Sequence, residues 1–165
     1  MNNFDWIHHV YECLESTKFM ALSTSDKGGT WTCPLFFAYE KDFTLYAVSK
    51  PIDKHTDNIA KNPEVSAAIY STEQDLLKRV HGIQMKAKAT IVPDDEVDKV
   101  FDIYYKRSPR DPKRDGIETL KYKGRDSEWK FIKLDPIEIY YFNSELFGHE
   151  RKLVDNLAIS SANNE

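Results

Sequence analysis

The apolar patterns of this chain predict a mainly β protein, a closed or nearly closed barrel of six antiparallel strands flanked by helices. Three observations carry that reading. Six short runs have strand character, and tight polar turns join the first three into a meander. The helical patterns are too few to cover both faces of a parallel sheet. One run alternates strictly: Ile83, Met85, Ala87, Ala89 and Ile91 are apolar, while Gln84, Lys86, Lys88 and Thr90 take the other face.

The elements follow in order. Ile7, Val10, Tyr11 and Leu14 fall on one helical face, so a helix is expected over residues 4–16 with Asp5 helping to begin it. Residues 19–24 read as a strand, and Ser25-Asp26-Lys27-Gly28-Gly29 as a hairpin connection to a returning strand over 31–40. A second turn at Lys41-Asp42 leads to a third strand over 43–49, apolar on both faces and therefore buried on both. Pro51 and Asp53 then end the strand and open a short helix carrying Lys54, His55, Thr56 and Ile59.

Residues 65–70 form the fourth strand, with small Ala67 and Ala68 where a neighbour can approach. After the alternating fifth strand, Pro93 and its acidic successors begin a longer helix with the stripe Val97, Val100, Phe101, Tyr104. Residues 108–127 are a charged connection, with a short helix expected over 117–122. Residues 129–134 and 137–142 read as one long strand bent at Pro136. One domain is expected over residues 1–155, with a small-residue polar tail over 156–165.

Composition removes several function classes. The formal charge of −4 argues against nucleic acid as the main partner. No basic segment followed by an apolar run stands at the amino terminus, and no stretch reaches membrane-spanning length, so a cytoplasmic protein without membrane association is expected. Cys13 and Cys33 lack metal or disulfide spacing, and adjacent His8 and His9 fall on different helix faces, so no metal centre is predicted. There is no nucleophile elbow, and the only glycine pair is in a hairpin, which excludes Rossmann and P-loop sites. The turn from Ser49 to Thr56 joins a hydroxyl, two lysines and a helix start. It reads either as a solvated connection or as a phosphate-type anion site.

The series LYAVSKPIDKH, then Asn62-Pro63, EVSAAIY and HGIQMKAKAT, resembles the FMN-binding split-barrel superfamily, whose best-known members are the pyridoxamine 5′-phosphate oxidases. Trp31, Phe36-Phe37, Gly82-Ile83-Gln84 and Leu146-Phe147-Gly148 suit its small bacterial general-stress-protein and YhbP-like branch. The resemblance implies a six-stranded split barrel that binds FMN. Its phosphate would lie against Ser49, Lys50 and Lys54, with His55 and Thr56 at the helix start. Thr32, Cys33 and Pro34 would lie along the isoalloxazine edge, and Gln84 would approach the ring.

The family shares each flavin between two protomers, which implies a homodimer with flavin sites at the interface and with Trp129 and residues 147–151 contributed by the partner. The implied activity is an oxidoreductase acting on an unidentified small molecule, and the alternative is a non-enzymatic flavin- or haem-binding module for sensing or storage. Two departures separate the chain from true pyridoxamine phosphate oxidases. No arginine stands on the Thr32-Cys33-Pro34 strand, and residues 147–151 do not form their arginine–histidine terminus.

Overall fold

The computed structural model describes residues 5–154. Its barrel strands are β1 (Phe19–Asp26), β2 (Gly29–Tyr39), β3 (Leu45–Ser49), β4 (Glu64–Ile69), β5 (His81–Ile91) and β6 (Lys130–Asn143). Every ladder is antiparallel. The spatial order is β3-β2-β1-β4-β5-β6, and β6 pairs back onto β3, so the sheet closes on itself as predicted. The helices are α1 (Trp6–Glu15), α2 (Lys54–Lys61) between β3 and β4, and α3 (Val97–Arg107) between β5 and β6. Among the described residues no helix is long and apolar enough to cross a membrane.

Local chemistry sets most boundaries. Asp5 caps α1 by accepting from the His8 amide at 3.0 Å. The α3 helix begins at Val97, four residues after Pro93, because residues 94–96 form a turn first. The expected bend at Pro136 is a β-bulge within a continuous β6. Ala87 pairs with Pro136 and Lys86 with Glu138, leaving Ile137 as the extra residue. In the 108–127 connection, the short helix α4 (Pro112–Asp115) precedes a 3₁₀ turn over Thr119–Tyr122. Besides α4, two elements have no counterpart in the sequence reading, α5 (Ser144–Phe147) and β7 (Arg151–Leu153). Both are too short to show a period, and β7 exists by pairing with Tyr140–Phe142 of β6. The tail expected over 156–165 lies outside the described residues.

The interior is built by alternation. Leu22, Phe37, Leu45, Ala47, Ile83 and Ile132 meet inside the barrel, and α1 adds Val10, Cys13 and Leu14. Burying each large side chain contributes roughly 1.5–3 kcal/mol relative to exposure. A second cluster forms outside the wall, where Tyr46 and Phe131 pack against Val97, Val100 and Phe101 of α3 and against Tyr122. The two faces of β3 thus serve two cores, which fulfils the expectation of a strand buried on both sides. Arg107 ties α3 to the rest. Its Nε donates to the Phe37 carbonyl at 3.0 Å and its Nη2 to the Leu14 and Thr17 carbonyls at 2.6 Å each.

Candidate functional site

The barrel wall splits between β2 and β3. Their ladder covers only Phe37↔Ala47, Ala38↔Tyr46 and Tyr39↔Leu45. Beyond it β3 leaves β2, and Val48 and Ser49 keep only the β6 ladder that runs the length of β3, through Phe131 and Lys130. Pro34 falls in the stretch of β2 without β3 alongside, an edge that a residue lacking an N–H tolerates. A cavity of about 570 Å³ opens at this split, walled by Pro34, Phe36, Val48, Tyr104, Tyr122 and Trp129, with Arg110 and Lys121 also on its lining. Aromatic walls with a few polar groups suit a flat organic ligand. The Tyr105 and Tyr122 hydroxyls bond each other at 2.6 Å.

The predicted turn gathers as a network, but its hydroxyls and imidazole face inward. Strand alternation sends Val48 to the cavity and Ser49 to the interior side with Leu45 and Ala47. Ser49, His55 and Thr56 are all buried. Ser49 Oγ lies 2.8 Å from Asp53 Oδ2 and 2.6 Å from His55 Nε2, and it accepts from Thr56 Oγ1 at 3.0 Å. A hydroxyl has one proton, so Ser49 donates to the carboxylate while His55 donates through Nε2–H. Asp53 also accepts from the Lys50 amide at 3.1 Å. The Ser49 hydrogen bond, followed by the Lys50 amide, holds the Asp53 carboxyl below its ordinary range, while burial lowers His55.

The two predicted phosphate lysines have different partners. Lys54 bonds Asp26 at 2.6 Å, a carboxylate that the β1–β2 hairpin delivers to α2, and Lys61 stands 3.9 Å from the same group. Lys50 instead lies over the Trp129 ring at 5.3 Å from its centroid. Trp129, expected from a partner chain, lies beside Lys50 and lines the cavity within its own chain.

Among the strand residues, Thr32 bonds Ser23 at 2.8 Å, and Pro34 reaches the cavity. Cys33 packs against the interior cluster, and burial pushes its thiol up to about 11. Gln84 stands apart. The outer-face row Pro34–Ala21–Ala68–Gln84 crosses three strand spacings, about 14 Å at ~4.8 Å each. Its Oε1 accepts from Arg151 at 2.7 Å, so Arg151, one of the predicted partner-side residues, is held on the Gln84 face. The sequence reading missed Tyr104, Tyr105 and Tyr122 as cavity walls. Their signal was an aromatic density across α3 and the following connection greater than one core stripe needs. Among the described residues no group of three or more His, Cys, Asp or Glu is placed to hold a metal.

A closed six-stranded barrel that splits beside β3 and carries flanking helices is a split barrel. The chain belongs to the pyridoxamine 5′-phosphate oxidase family, whose model matches residues 7–143. Three solved structures share the fold. A haem-binding protein from Mycobacterium smegmatis superposes with a TM-score of 0.73 at 14% identity, over 98% of this chain and 62% of that one. General Stress Protein 26 from Bacillus anthracis gives 0.61 at 19% identity, over 84% and 95% of the two chains. An FAD-binding protein from Mesorhizobium loti gives 0.59 at 17%, over 81% and 92%. This chain thus spans less than two thirds of the mycobacterial protein's length. No curated protein matches it.

Proposed function

We propose that this protein is an FMN-binding oxidoreductase that acts on a small organic molecule at the split of its barrel. The observation that carries the reading is the aromatic cavity of about 570 Å³, which has Trp129 on its wall and Lys50 stacked on that ring beside the Ser49 turn. A flat ring fits the cavity, and Lys50 and its amide offer a cation and a donor for a phosphate at the adjoining turn. FMN, when bound, supplies the electron- and hydride-accepting ring. The chain's own part is to clamp that ring between Pro34, Val48 and the aromatic residues, to exclude water, and to orient a substrate with Arg110 and Lys121.

A haem relative motivates the non-enzymatic alternative, but the cavity chemistry favours a flavin. Its lining holds no His, Cys or Met, and burial pushes the Tyr104 and Tyr122 hydroxyls up, away from the phenolate that iron ligation requires. We also propose a homodimer across the outer face of β1, β4 and β5. Small Ala21, Ser23, Ser66 and Ala68 make a shallow trough there, and Gln84 on its rim would reach the flavin of a second copy rather than that of its own chain.

Titration of the protein with FMN tests the reading. The expected result is a perturbed, structured visible flavin band with quenched flavin fluorescence, weakened about tenfold or more in Trp129→Ala if the ring stacks there. Unperturbed FMN spectra at saturating protein would overturn it.

A further inference from the structure

The predicted phosphate turn already contains an anion. Asp53 stands at the N-cap position of α2 with the extended backbone of a capping residue (φ −68°, ψ 144°), yet its side chain makes no capping hydrogen bond. The carboxylate turns back over the turn instead, holding Ser49 Oγ and the Lys50 amide through one oxygen, Oδ2. Those are the two donors that a ligand phosphate at this turn would need. Within the network of Ser49, Asp53, His55 and Thr56, only Asp53 is not buried, so it forms the solvent-side member of an otherwise enclosed cluster.

We propose that Asp53 is an internal competitor for the anion position and determines which ligands the turn accepts, an inference that rests on the flavin reading above. A ligand phosphate takes the Ser49 hydroxyl and the Lys50 amide only when Asp53 rotates outward. The backbone at Asp53 already suits that second position, because a carboxylate turned toward α2 would cap its first amides and favour the positive end of its dipole. The exchange costs no backbone rearrangement. It replaces two hydrogen bonds with two others and moves one negative charge away from the incoming anion. Lys54 does not offset that charge, because Asp26 holds it. A neutral ligand end is therefore tolerated with Asp53 inward, whereas a phosphate dianion binds only against this competition.

The test compares FMN with riboflavin, which has the same ring and no phosphate, on the full chain and on Asp53→Asn. Asparagine keeps the shape without the charge. The expected result is FMN binding tightened about tenfold in Asp53→Asn with riboflavin binding unchanged, and the same pattern in Asp53→Ser, which retains a capping side chain. FMN binding by wild type that is unchanged or weakened in both variants, while their thermal unfolding matches wild type, would overturn the competitor role and leave the flavin reading standing. Failure of both flavins to bind wild type and both variants would overturn the flavin reading and this inference together. FMN binding that appears only in the variants would support the competitor role in its strongest form.

Discussion

Arg107 shows how much of this fold rests on single side chains. Its guanidinium donates to three carbonyls on two separate segments and stacks over Phe37 and Tyr39 at 4.8 and 4.9 Å from their centroids. Removing it leaves those carbonyls without their charged donor. Arg107→Ala is therefore expected to lower unfolding free energy by about 3 kcal/mol in urea denaturation, and Arg107→Lys to recover less than half, because one ammonium cannot span that fork. An Arg107→Ala protein as stable as wild type would show that the apolar packing of Val97, Val100 and Phe101 anchors α3 without Arg107. Two histidines set the response to acid. Burial lowers His55, and burial together with Arg79 and His9 lowers His81. The folded chain thus keeps both neutral while the unfolded chain protonates them near 6.5. The unfolded state binds more protons below that value, so stability is full above about pH 6.5 and falls as pH drops through it. Melting temperature should decline from pH 7 to 5, with a shallower decline in His81→Gln. Asp53 and Glu12, both lowered, add to the loss only further into acid, below their ordinary values of 3.8 and 4.5.

At the scale of elements, β3 is the strand on which the candidate site depends. Its alternation was legible in the sequence, and so was its abrupt end at Ser49. The direction in which its last residues point is also legible, because a period of two from Leu45 and Ala47 places Ser49 with the interior. The residue types of the turn do not by themselves say that Asp53 and Asp26 neutralise it. Asp26 is 28 residues from Lys54, and only the closure of β1 and β2 against α2 brings them to 2.6 Å. The β5 strand behaved differently. Its strict alternation predicted both its extent and the outward face of Gln84, because one face of the strand is buried and register then has no freedom. The short elements α5 and β7 gave no signal, since three or four residues cannot display a period and depend on β6 for their bonds.

For the whole molecule, the outer face of β1, β4 and β5 is where a second copy is expected. Two cross-strand rows meet there, Pro34–Ala21–Ala68–Gln84–Tyr140 and Thr32–Ser23–Ser66–Lys86–Glu138, with small residues on the central strands. Size-exclusion chromatography with light scattering should give a dimer mass for wild type and a monomer for Ala68→Arg. The new arginine points outward, so the monomer keeps its fold. FMN affinity should fall in the same variant, because Gln84 would reach the flavin only across the interface. An Ala68→Arg dimer with undiminished FMN binding would place the contact elsewhere.

The sequence by itself determined the barrel, its antiparallel strands, the bend at Pro136 and the polar turn that ends β3 and opens α2, because each follows from local periodicity, proline geometry or capping chemistry. Tertiary structure alone decided which of those residues share a site. Closure of β6 onto β3 put Trp129 beside Lys50, α3 and its connection built an aromatic wall that no local pattern marks, and three intervening strand spacings set Gln84 apart. Residue type is local information, whereas proximity is set by how strands far apart in sequence pair around the barrel.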